Sequence, residues 1–152
     1  MKHSPIHQQI SKTEIVLKPG QHIEQLLHTA TQYKTKDAST SLDEAHMVLM
    51  QLLDEFLTIQ CSIKWSRKKA RWFCKLLDVW HEGDGTAEIM AQGKAYGTTL
   101  AMAICLAILK LYGYKGVKED VPNIPNNYHL SNVLDSPAFK RLLKVDSKSK
   151  KA

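Results

Sequence analysis

The chain has 152 residues, of which 43% are hydrophobic and 24% are charged, and its formal net charge is +6. This length suits one domain and the apolar fraction suffices for a core, which excludes a wholly disordered chain. The three cysteines are widely spaced and form no zinc-binding pattern, and the first residues lack the apolar stretch of a signal peptide, so we expect a cytoplasmic protein.

The first 18 residues are polar and aperiodic, apart from a short extended candidate at Ile15–Leu17. We therefore expect a flexible N-terminal segment, 1–18, ahead of a single helical domain that spans 19–145. Within that domain, apolar residues recur at helical spacing from Gln21 to about Lys34, which predicts a first amphipathic helix.

A second, longer helix is predicted from Ser41 to about Cys61. Ser41 and Glu44 form the pattern of a capping box, and the apolar residues that follow repeat every three or four positions. The opposite side of this helix is acidic, since it carries Asp43, Glu44, Asp54 and Glu55.

A third helix is predicted from Arg67 to about Trp80, with Ser66 as its N-cap. The stretch 64–75 contains six basic residues and no acidic one. With about 100° between successive residues of a helix, Trp72 lies at the margin of a basic side. The opposite side is expected to face the core, and it consists of Phe73, Leu76, Leu77 and Trp80. The basic side consists of Arg67, Lys68, Arg71 and Lys75.

A fourth helix is predicted from Asp84 or Thr86 to Tyr112. Its uncharged part, 95–109, would be about 22 Å long as a helix, which is too short for a hydrocarbon core of about 30 Å. We therefore expect a buried central helix and no membrane span. Small residues every four positions would let another helix approach closely, and we predict partner packing at Gly93, Gly97 and Ala101.

The last part of the chain is expected to contain an extended loop at 117–130 and a short helix from Ser136–Pro137 to about Lys144. A basic, disordered tail is predicted at 146–152. Because no segment alternates convincingly, these elements predict an all-α fold, a bundle of four main helices plus the short C-terminal helix.

No motif in the sequence predicts catalysis, a metal site or a cofactor. The acidic loop at 81–88 lacks the closing glutamate of a calcium site, because that position is Ala95. Gly93–Lys94 does not complete a phosphate-binding loop, and the Glu-x-x-His pattern of di-iron bundles does not occur. We therefore expect a non-enzymatic protein without metal or cofactor, and we keep an enzyme or ligand-binding bundle as a third hypothesis.

The leading hypothesis is a helical accessory protein that binds nucleic acid without sequence preference, through the basic side of the third helix with Trp72 as a stacking residue. Other interpretations stay open. The acidic second helix or solvent could neutralise the basic side, or an acidic protein or membrane surface could bind it. Alternatively, the chain is a protein–protein adaptor or a small subunit of an assembly, which packs against another protein or a second copy through its Ala/Gly-rich helix.

Overall fold

A computed structural model of the chain describes Ile6 and residues 11–121. The short helix predicted at 136–144 and the tail at 146–152 lie outside these residues. The described elements are, in chain order, β1 (Ile15–Leu17), α1 (Gln21–Thr31), α2 (Leu42–Glu55), β2 (Ile59–Ser66), β3 (Arg71–His81), β4 (Ala87–Gly97), α3 (Leu100–Leu111) and β5 (Val117–Glu119).

The all-α helical bundle predicted from the sequence is wrong. In the described part, three helices pack with a two-stranded and a three-stranded sheet, so the fold is α/β. The residues of the predicted third helix form a turn and β3. The predicted fourth helix is divided between β4 and α3, with a short connection at 98–99.

The first two predicted helices are confirmed, with earlier ends. Ser41 is the N-cap of α2, and its hydroxyl accepts a hydrogen bond from the N–H of Glu44, as the capping pattern predicts. The helix ends at Glu55 because Phe56 has an extended backbone, and β2 begins three residues later. One side of α2 is buried, and its buried residues are Ala45, Val48, Leu49 and Leu52.

The buried central helix is confirmed over the residues of α3. Ten of its twelve residues are buried, because β3 and β4 cover one side while α1 and α2 pack against others. A helix that is apolar all round is stable in water only when every side is covered in this way. None of the described helices has the length and apolar character needed to cross a membrane.

The end of α3 agrees with the predicted boundary at Tyr112. Gly113 has a φ of +105°, in the left-handed region that glycine adopts without a Cβ clash. Its N–H donates to a carbonyl of the last helical turn, and so does the N–H of Tyr114. This arrangement is a Schellman motif, which satisfies carbonyls at the helix end and redirects the chain.

The redirected chain forms β5, which pairs in parallel with β1 in a small two-stranded sheet. Exposed ion pairs join Lys18 to Asp120 and Lys118 to Glu14 beside this sheet. The extended candidate at Ile15–Leu17 is thus confirmed as a strand. The flexible segment predicted at 1–18 and the loop predicted from 117 are wrong at the residues of these two strands.

The larger sheet is an antiparallel meander in the order β2, β3, β4. The hydroxyl of Ser66 accepts a hydrogen bond from the N–H of Lys69, the same local contact that an N-cap makes, but the chain then turns back through Ala70 at a φ of +51°. In the second hairpin, Asp84 accepts hydrogen bonds from the N–H and the hydroxyl of Thr86.

Small side chains on β4 allow α3 to lie directly against the sheet. Every second residue is small and buried, and these residues are Ala91, Gly93, Ala95 and Gly97. A Cβ added at Gly93 would lie 2.1 Å from the backbone oxygen of Ala107, and one at Gly97 would lie 2.4 Å from the backbone nitrogen of Ala103. The predicted helical stripe of Gly93, Gly97 and Ala101 is therefore wrong. The four-residue spacing of Gly93 and Gly97 is two periods of the two-residue strand repeat, and the close approach occurs within the chain.

Candidate nucleic-acid interface

Side chains of the three-stranded sheet point alternately to two faces. The inner face includes the small residues of β4 and packs on α3. We call the opposite side, over the rows before the register shift at Asp78/Val79, the outer face, and the pairing register assigns its eleven residues. They are Gln60, Ser62, Lys64 and Ser66 of β2, Arg71, Phe73, Lys75 and Leu77 of β3, and Gln92, Lys94 and Tyr96 of β4.

The outer face is cationic. It carries Lys64, Arg71, Lys75 and Lys94, and none of its residues is acidic. Lys69 adds a fifth cation from the turn before β3, since its Nζ lies 4.1 Å from the centroid of an aromatic ring on this face. The ion pairs recorded among the described residues lie beside the small sheet and involve none of these side chains. The positive charge is therefore available to an external anion.

Two of the cations face each other across the sheet. Lys75 of β3 is directly opposite Lys94 of β4, with Ser62 of β2 completing the row. Like charges at opposite positions of an antiparallel pair destabilise the sheet, and the outer face has no carboxylate to offset the repulsion. A bound anion would reduce this repulsion.

An aromatic pair occupies the neighbouring row of the outer face. Phe73 is opposite Tyr96, with ring centroids 4.8 Å apart and planes inclined at 43°. The Nζ of Lys64 lies 5.4 Å from the Phe73 centroid, and Lys69 lies over Tyr96. Both rings remain partly exposed. The face therefore combines flat apolar groups with surrounding cations.

The structure separates the residues that the sequence placed in one site. Arg71 and Lys75 share the outer face, whereas Arg67 and Lys68 are exposed in the turn between β2 and β3. Trp72 lies on the inner face, where its ring meets that of Trp65 edge to face with centroids 5.4 Å apart. Trp72 is thus on the opposite side of the sheet from Arg71 and Lys75, because adjacent strand residues point in opposite directions.

The acidic side of α2 is not paired with these cations in the described part of the chain. α2 packs against α3, which covers the inner face of the sheet. One of its carboxylates, Glu55, accepts a hydrogen bond from the hydroxyl of Tyr33. The recorded contacts therefore give no support to neutralisation of the outer face by α2.

The sequence reasoning missed Lys94 and Tyr96 as site residues and assigned Phe73 to the core. A signal was present, because small residues alternate with larger ones through β4. Alternation with a period of two predicts a strand, and it would have placed Lys94 and Tyr96 on the side opposite Gly93. Their position beside Phe73 and Lys75 depends on strand pairing, which the sequence pattern alone does not reveal.

The cysteines form a separate, largely buried group. A hydrogen bond with Cys61 and then burial raise the pKa of the Cys74 thiol, and burial raises that of Cys105. Such thiols stay protonated near neutral pH, unlike catalytic nucleophiles. Among residues that the structure describes, no three histidine, cysteine or acidic side chains are grouped to hold a metal ion.

No family model, curated protein or solved structure matches this chain.

Proposed function

We propose that the chain is a non-enzymatic protein that binds nucleic acid through phosphate contacts on the outer face of β2, β3 and β4. The observation that carries this proposal is the unneutralised pair of Lys75 and Lys94, set among further cations on a face without acidic residues. Lysine ammonium groups bind phosphate as point charges, and the Arg71 guanidinium can bind two phosphate oxygens at once.

Binding of this kind depends strongly on salt. Each phosphate neutralised by a lysine or arginine releases condensed counterions. It makes the plot of log affinity against log salt concentration steeper, by about 0.7 to 0.9 in the size of its negative slope. Contacts to phosphate carry no base information, so little sequence preference is expected. The salt slope is thus a direct count of the cations that contact the ligand.

The test is fluorescence anisotropy with labelled oligonucleotides between 50 and 200 mM salt. The variant carries Lys64→Gln, Lys75→Gln and Lys94→Gln together. Removing three contacts should lower the salt slope by about 2, and at 50 mM salt the affinity should fall by at least tenfold. The lysines are exposed or partly exposed and form no recorded ion pair, so the variant should keep its fold.

A matched control carries Lys12→Gln, Lys34→Gln and Lys36→Gln. These three lysines are exposed and lie outside the three-stranded sheet, so the control has the same net charge as the test variant. It should keep most of the wild-type affinity and salt slope. Absence of wild-type binding at 50 mM salt, or equal losses in the two triple variants, would contradict a site on the outer face.

The adaptor alternative is favoured by a different observation, on β2. Ile63 and Trp65 are 39% and 47% exposed, and β2 is an edge strand of the described sheet. Unpaired strand edges with exposed apolar side chains are sites of protein association. Analytical ultracentrifugation of wild type and Trp65→Lys at rising concentration tests this role. A concentration-dependent dimer in wild type alone would support self-assembly, and a monomer in both would argue against it.

A further inference from the structure

We infer that the outer face selects single-stranded nucleic acid, with unpaired bases stacked on Phe73 and Tyr96. This inference rests on the proposed function and adds the class of ligand. Phe73 and Tyr96 are the aromatic residues of the outer face, and the pairing register places them side by side, one pair from the end of the β3–β4 ladder. Cations lie in the same row and in the next one, namely Lys64 and the pair of Lys75 and Lys94.

The position of the two rings is unusual for residues whose only role is to stabilise the fold. The core lies on the inner face, where α3 packs, and no described helix packs on the outer face. Partly exposed rings on a cationic surface provide what a single strand uses, namely flat groups for its bases and ammonium groups for its phosphates. A duplex keeps its bases stacked on each other and has no free base face to stack on the rings.

Two lysines lie over the rings. The Nζ of Lys69 lies 4.1 Å from the Tyr96 centroid, and that of Lys64 lies 5.4 Å from the Phe73 centroid. Both lysines are exposed, and a cation–π contact at an exposed site is weaker than the stacking of a base on an aromatic side chain. A base therefore displaces each ammonium group, which then lies close enough to bind a flanking phosphate.

A purely structural role for the rings predicts a different outcome. Aromatic pairs across strands also stabilise sheets, and in that case binding would not depend on bases. The comparison uses three ligands of equal length, which are a single-stranded oligonucleotide, its duplex, and a chain of abasic sugar-phosphate units. Wild type should bind the single strand about tenfold more tightly than either of the other two at the same salt concentration.

The matching variant carries Phe73→Leu and Tyr96→Leu, which keeps apolar side chains on the strands. It should lose about tenfold in affinity for the single strand and bind the abasic chain as wild type does. Equal wild-type affinity for the single strand and the abasic chain would overturn the inference, and this comparison needs no variant to fold. If wild type binds the single strand and the abasic chain equally, and the triple lysine variant binds neither ligand, the phosphate site is supported without base stacking. If wild type binds no ligand, the proposed function itself fails.

Discussion

The contact between Gly93 and α3 offers a direct test of the fold. Replacing Gly93 with alanine would place a Cβ 2.1 Å from the backbone oxygen of Ala107 and 2.6 Å from the backbone nitrogen of Leu111. Non-bonded atoms are attracted to each other best at about 3.5 to 4.0 Å, so α3 must withdraw from the sheet by about 1 Å or more. Backbone atoms of a helix cannot rotate out of the way as a flexible side chain would.

The cost follows from this displacement. Inserting a methyl group into a well-packed core costs about 1–3 kcal/mol, and a gap of about 0.5–1 Å forfeits a quarter to a half of each dispersion contact along it. Since α3 is the centre of the core, we expect Gly93→Ala to reduce the free energy of unfolding by about 3 kcal/mol, the upper end of that range. This reduction lowers the ratio of folded to unfolded protein by about a hundredfold.

Urea unfolding followed by tryptophan fluorescence and circular dichroism measures this change. Gly83→Ala is the matched control, because an added Cβ there has no atom within 4 Å and surface substitutions usually change stability by less than about 0.5 kcal/mol. If Gly93→Ala also stays within about 0.5 kcal/mol of wild type, α3 does not pack on β4 as described. A helical conformation of this segment would make Gly93→Ala stabilising instead, by about 1 kcal/mol.

Three further predictions concern a turn, a loop and a thiol. Ala70→Gly should stabilise the fold by about 0.5 kcal/mol in urea unfolding. The left-handed φ of +51° costs an L-residue about 1–2 kcal/mol, whereas glycine loses about 0.5–1 kcal/mol more in backbone entropy on folding. A loss of stability would refute this geometry. Hydrogen bonds from Thr86 lower the pKa of Asp84 below its ordinary value, so this loop contributes stability above the ordinary pKa that is lost as the pH falls through the lowered pKa. NMR titration should show a partial return to the ordinary pKa in Thr86→Val, and an ordinary pKa in wild type would exclude the contact. A hydrogen bond from Cys74 lowers the pKa of the half-buried Cys61. A thiol reagent at pH 8 should therefore modify Cys61 first, and Cys61→Ser should remove the fast phase of the modification reaction. A fast phase that survives in this variant would contradict the assignment.

Local sequence signals predicted some elements correctly because their stabilising interactions are themselves local. The hydroxyl of Ser41 caps a helix whose apolar residues repeat with a single clear period, and α2 forms there. The uncharged stretch before Gly113 likewise predicts a buried helix and its end. In both cases, the hydrogen bonds and the apolar side of the element arise from residues less than two turns apart.

The same reasoning failed over β3 because its two faces both carry apolar residues. Phe73 and Leu77 lie on the outer face and Leu76 on the inner face, so together they imitate the three- and four-residue spacing of a helix. The local contact at Ser66 is equally compatible with a helix start and with a hairpin turn. Neighbouring strands resolve this ambiguity, since β3 is paired along its length with β2 and β4.

The sequence by itself located the positive charge, because a run of basic residues is visible without a fold. Only the tertiary structure decided which of these residues share a face of the sheet. Strand alternation keeps Arg71 and Lys75 on one face and removes Trp72 to the other, and pairing brings Lys94 and Tyr96 beside residues about twenty positions earlier. A surface assembled from three strands depends on non-local hydrogen bonds, so its composition follows from the register of the sheet and not from any single segment.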